Sequence, residues 1–198
     1  MRWLFCLLLS IVSYLFIDKE LAIYLNQGIP SLEIFKVFSL LIAPLPHLIL
    51  WSLLTASALH PFFRKHLKPF SSVLLTVLIY MFIAGVLKIV IGRARPDFFI
   101  KNDFYGFSFF EGYHSYFRSF PSSHAATAFA LAYLSSKRVS YLLASILVTS
   151  RLFLREHYLS DVILGGMLGI FSAKLVLQYG LNKIEQAMKL ARSILKRS

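Results

Sequence analysis

From Pro69 to Leu87 the chain runs nineteen residues without a charged side chain. As α-helix, at about 1.5 Å per residue, such a run spans roughly the hydrocarbon thickness of a bilayer. It is continuously apolar rather than alternating. In hydrocarbon, where each backbone N–H must find its partner internally, that leaves helix as the fitting conformation. Leu45–Phe63 is a second such run, interrupted by its histidines and Pro61. With 58% hydrophobic and only 15% charged residues, the chain reads as an integral membrane protein, a single all-α domain over residues 1–198.

Six crossings fit best: Trp3–Ile17, Leu45–Phe63, Pro69–Ile91, Ser122–Ser136, Val139–Leu154 and Leu159–Tyr179. The first and fourth are short. The amino terminus resembles a signal sequence but lacks a small-x-small cleavage site before Asp18, so it is read as a retained first span. Within residues 18–43, Ile34, Val37, Phe38, Leu41 and Ile42 recur at helical spacing, with Glu33, Lys36 and Ser39 elsewhere. That pattern predicts an amphipathic helix along the interface between spans 1 and 2.

The net charge of +12 invites a nucleic-acid reading, but its distribution points to topology instead. With the amino terminus inside, Arg2, Arg64, Lys65, Lys68, Lys137, Arg138 and the tail cations Lys183, Lys189, Arg192, Lys196 and Arg197 all fall on the cytoplasmic side. The tail, 181–198, reads as a basic surface helix with Leu181, Ile184, Met188 and Leu195 on one side. The lone Cys6 excludes an intrachain disulfide.

Lys88, Arg93, Arg95, Arg151 and Arg155 break the rule, lying at the outer ends of the third and fifth spans. They fall in or beside three polar blocks. In "KIVIGRARP" (88–96), Lys88 and Arg95 would share a face if the helix persisted, although Pro96 disfavours helix at Arg95. Arg93 reads equally well as a cation reaching for headgroups. "FPSSHAATAFA" carries a capped helix start at Ser122 and Ser123, with His124 in its first turn and free N–H groups suited to an anion. In "SRLFLREHYLSD" (150–161), His157 and Asp161 are four apart, which places them on one face if helical. A carboxylate there can hold one imidazole nitrogen and leave the other free as base or nucleophile. Each block alone has a plainer structural reading. Together they suit a phosphate, and no metal or cofactor is implied, since cations around two histidines and one carboxylate would repel a divalent ion.

These blocks, Lys88 through Arg95–Pro96, Pro121-Ser122-Ser123-His124, and Ser150-Arg151 with His157 and Asp161, resemble the tripartite signature of the type 2 phosphatidic acid phosphatase family. That family shares its phosphate site with vanadium-dependent haloperoxidases. The motif core covers 88–161. The resemblance implies that His157 takes the phosphoryl group, Asp161 orients it, and His124 protonates the leaving oxygen and then activates water. Lys88, Arg95, Arg151, Ser122 and Ser123 would bind phosphate oxygens. Where the family usually carries glycine, this chain has Ser123, which keeps a backbone N–H but would be strained at positive φ.

The expected function is a membrane lipid phosphate phosphatase with its site on the non-cytoplasmic face, in a bacterial cytoplasmic membrane. Undecaprenyl pyrophosphate, phosphatidylglycerophosphate, phosphatidic acid and lipid A phosphate are candidate substrates. Phosphotransfer to another hydroxyl, and non-catalytic phospholipid binding or transport, are the competing readings. The expected partners are the bilayer and its lipid, not nucleic acid. The aromatic-rich loop 97–120 would pack at the interface or line a lipid entrance, with His114 on the surface.

Overall fold

The computed structural model describes residues 2–27 and 67–180, and in these the regular structure is helical throughout. The expected span 45–63, the amphipathic positions Ile34 to Ile42 and the tail 181–198 lie outside the described residues.

The first helix does not stop at Ile17. α1 (Arg2–Val12) enters a π-helical turn (Ser13–Ile17) and emerges as α2 (Asp18–Gln27), with right-handed helical dihedrals at both junctions. The Asp18 N–H bonds the Ser13 carbonyl, the five-residue reach that defines such a turn. Residues 18–27, assigned from sequence to the interfacial piece, therefore extend the first helix. The reason is that the Asp18 carboxylate is not left to solvent: it is 1% exposed and fully partnered inside the bundle.

α3 (Leu67–Ile91) ends at Gly92, whose φ of 56° breaks the right-handed spiral. α4 (Pro96–Asn102) starts with proline in its first turn, where the missing N–H costs nothing. α5 (Ser123–Ser135) is capped by the Ser122 hydroxyl, which accepts the Ala125 N–H at 3.3 Å. α6 (Arg138–Phe153) returns alongside it, and α7 (Leu159–Leu175) runs on through a π-helical stretch to Gly180. Among the described residues, Ser72–Ile91 and Leu159–Tyr179 are long and apolar enough to cross a membrane. α5 and α6, at 13 and 16 residues, are shorter.

Among the described helices, α5 packs against α3, α6 and α7. Its small residues Ala125, Ala126 and Ala130 are buried, with Ala126 against Val77 and Tyr80 of α3 and Ala125 against Val148 of α6 and Val162 of α7. The approach of α7 is closest of all. A Cβ at Gly169 would sit 2.0 Å from the Ala126 carbonyl oxygen, and one at Gly165 would sit 2.3 Å from that of Ser122. Only glycine permits two backbones to meet at that distance.

The helix directions sort the chain's charge. The end of α3, the start of α5, the end of α6 and the start of α7 gather at one end of the bundle, while the Lys137–Arg138 turn between α5 and α6 lies at the other. Large apolar side chains cover the outer surface, with Phe16 and Phe82 more than 70% exposed. Such a surface suits hydrocarbon and would be a liability in water.

Candidate active site

Lys88, Arg95, His124, Arg151 and His157 converge at that end, but not by the local geometry their spacing suggests. Lys88 and Arg95 do not share a helical face, because α3 ends at Ile91 between them. After Gly92 the chain turns extended and Arg93 forms a β-bridge with Phe107. Arg95 is then fixed by its N–H to the Tyr116 carbonyl at 2.8 Å and caps α4. The Lys88 Nζ donates to the Arg118 carbonyl at 2.8 Å, which draws the loop's return limb over the site. Ser122 and Ser123 lie where the capping signature put them, at the start of α5. Ser123 is helical and not among the positive-φ residues, so the serine carries no backbone strain there.

His157 and Asp161 differ from expectation in a similar way. α7 begins at Leu159, so His157 stands ahead of the helix and Asp161 inside its first turn. His157 Nδ1 is 2.7 Å from the Ser119 carbonyl oxygen and 4.0 Å from Asp161 Oδ2. A carbonyl can only accept, so Nδ1 carries the hydrogen and Nε2 has the free lone pair. The expected direct bond from the carboxylate is thus replaced by one from the backbone of Ser119. Asp161 holds that residue instead: its Oδ2 accepts the Ser119 hydroxyl at 2.6 Å and the Tyr158 N–H at 2.9 Å. Burial, followed by the nearby charges of Lys88, Arg95, His124 and Arg151, depresses the His157 pKa well below the usual imidazole value. The ring is therefore neutral at neutral pH.

The cations meet an acid not singled out from sequence. Arg151 donates from NH2 to Glu156 Oε2 at 2.8 Å, and Arg95 NH1 lies 4.0 Å from the same oxygen. His124 ring nitrogens lie 3.2 and 3.4 Å from the same Arg151 nitrogen. The Arg95 Nε is buried without a hydrogen-bond partner among the described residues, a donor suited to an incoming anion.

Behind this cluster lies a buried charge network that sequence reading missed. Arg93 is 1% exposed and does not reach for headgroups. It bonds Asp161 Oδ1 at 2.5 Å, Ser160 Oγ at 2.6 Å and Asp18 Oδ2 at 2.8 Å. Four rings, Tyr14, Tyr105, Phe107 and Tyr158, surround its guanidinium at 4.3 to 5.8 Å. Burial alone would lower its pKa, but Asp161 and then Asp18 more than reverse that and hold it above the ordinary value. Ser160 also bonds Asp18 through its backbone N–H, at 3.1 Å, and through a very short contact from its hydroxyl. The aromatic loop thus does more than pack at an interface: Tyr105 and Phe107 seal Arg93. Phe109, Phe110 and Tyr113 remain exposed, and His114 lies at the surface beside Glu111, at 3.6 Å.

A helical bundle that gathers two imidazoles, a lysine and two arginines around a capped helix start is built to attract a compact anion. Residues 69–185, more than half of the chain, match the PAP2 superfamily, and the chain belongs to this family of type 2 phosphatidic acid phosphatases. Two curated relatives are similar over 97 residues: a lipid A 1-phosphatase of Rhizobium johnstonii at 42% identity and one of Rhizobium etli at 41%. The match takes in 46% of this chain and 39% and 41% of theirs, so it spans about two fifths of the length of those relatives. No solved structure matches the chain.

Proposed function

We propose that this protein removes a phosphate from a lipid headgroup by way of a phosphohistidine on His157. The observation that carries the reading is the His157 ring itself. Its Nδ1–H is engaged by the Ser119 carbonyl at 2.7 Å, and the charges that perturb it are those of Lys88, Arg95, His124 and Arg151. A neutral nucleophile is thus held beside the groups that would bind its target. In the first step Nε2 attacks phosphorus as the ester P–O bond breaks, and His124 gives its proton to the departing oxygen. In the second, water attacks phosphorus, its proton passes to His124, the P–N bond breaks and inorganic phosphate leaves. Lys88, Arg95, Arg151, the Ser122 hydroxyl and the Ser123 N–H stabilise charge on the phosphoryl oxygens, which matters most as phosphorus becomes five-coordinate. Asp161 acts through Ser119 to fix the ring.

The apolar surface and the two long helices support a site near a bilayer surface. The basic turn at the other end supports an outward-facing site, in keeping with the positive-inside tendency. The relatives favour a lipid A-type phosphate as substrate. The test is phosphate release by purified protein from lipid A, undecaprenyl pyrophosphate, phosphatidylglycerophosphate and phosphatidic acid. His157→Ala is expected to abolish release while the protein stays in the membrane fraction. An acid-labile phosphoenzyme should form in wild type alone. Wild-type turnover in the variant would remove the nucleophile assignment, and no release from any lipid would remove the phosphatase reading.

A further inference from the structure

Glu156 brings negative charge into a site otherwise built from cations. One oxygen of its carboxylate serves Arg151, at 2.8 Å, and approaches Arg95, at 4.0 Å. The arrangement is constructed rather than incidental. The preceding residue, Arg155, adopts a left-handed φ of 55°, a conformation costly for any residue with a Cβ. It is held there by a short bond to Asn26, by an ion pair with Asp97 at 3.9 Å, and by its carbonyl, which accepts the Asp97 N–H at 3.2 Å. The result of that turn is that the Glu156 N–H reaches back to the Arg151 carbonyl, at 3.2 Å, and its side chain folds onto the guanidinium. The side chain is about one third exposed, so it can leave without opening the core.

We propose that Glu156 is a resident anion that competes with phosphate for Arg95 and Arg151 and so limits how tightly the site retains inorganic phosphate. The inference rests on the phosphatase reading and extends it to product release. Three cations around a dianion form a strong trap for substrate and product alike, because both present the same oxygens. A tethered carboxylate weakens that trap. It neutralises the arginines in the empty site, is displaced by an incoming dianion, and returns as phosphate departs. A group carrying a single negative charge gains little by displacing it, so the device also favours dianionic phosphomonoesters over phosphodiesters.

The test measures binding of radiolabelled inorganic phosphate to the detergent-solubilised full chain, and its inhibition constant against the best lipid substrate. Glu156→Gln keeps the shape and removes the charge; Glu156→Ala removes both. Both variants are expected to bind inorganic phosphate on the order of tenfold more tightly, an effect of about 1.4 kcal/mol. Matched unfolding midpoints would show that the fold is kept. If Glu156 serves only to hold Arg151 in place, both variants bind phosphate equally or more weakly, which overturns the proposal while lipid turnover by wild type leaves the phosphatase reading standing. If wild type neither binds phosphate nor releases it from any lipid, the phosphatase reading fails first and this inference with it.

Discussion

Replacing Gly165 by alanine adds one methyl group to a residue with no proposed role in the chemistry, yet it should sharply slow the enzyme. The new Cβ would lie 2.3 Å from the Ser122 carbonyl oxygen, where ordinary contact begins at 3.4 Å, so the two backbones must part by about 1.1 Å. Neither side yields easily: Ser122 is the cap of α5, its N–H bonds the Asp161 carbonyl at 3.1 Å, and both residues are fully buried. The displacement is therefore imposed on the Ser122 hydroxyl and Ser123 amide proposed to bind phosphate, and on Asp161 behind His157. A misplacement of about 1 Å in such a constellation costs on the order of 100-fold in rate. The assay is kcat/KM for phosphate release, normalised to folded protein in detergent. Gly85→Ala on α3 is the matched control, since nothing lies within 4 Å of a Cβ there. The reasoning is refuted if Gly165→Ala stays within threefold of wild type, or if Gly85→Ala loses as much.

Three further outcomes follow from the charges. Because the His157 pKa is depressed, the free enzyme keeps its proposed nucleophile neutral as pH falls through the ordinary imidazole value of 6.5, and the acid limb of kcat/KM should lie below it. The same shift acts on stability with a definite sign: unfolded chains take up a proton near 6.5 that the folded ring refuses, so the unfolding midpoint should drop as pH falls below that value, and a flat midpoint would contradict it. Asp18→Asn, which leaves Arg93 with one carboxylate instead of two, should cost about 1–3 kcal/mol and lower the thermal midpoint, whereas an unchanged midpoint would mean that the network carries little stability.

Much of this was legible in sequence, for reasons that can be named. Charge-free runs and capping serines act locally, so the ends of α3, α5, α6 and α7 fall within a few residues of the spans drawn from composition alone. The cations of the candidate site were legible because charges on the wrong side of the basic-turn pattern have no topological reason to exist. What stayed hidden was how the members are held. Four-residue spacing suggested that Asp161 touches His157, but the helix starts two residues after that histidine, and the contact passes through Ser119 from another segment. Arg93 read equally well as a cation reaching for headgroups because nothing nearby in sequence announces Asp18, seventy-five residues away, as its partner. The π-helical turn that aims Asp18 inward has no sequence signature, and neither does the left-handed Arg155 that folds Glu156 onto Arg151.

The turn at Ser13–Ile17 has a practical consequence for anyone trimming this protein. The region shared with its family starts at residue 69, but the carboxylate that completes the Arg93 cage comes from residue 18. A fragment cut to the shared region would leave a guanidinium sunk in aromatic rings with half its counter-charge gone, and the Ser160 hydroxyl and amide without their acceptor. The leading helix is a keystone delivered from outside the arch.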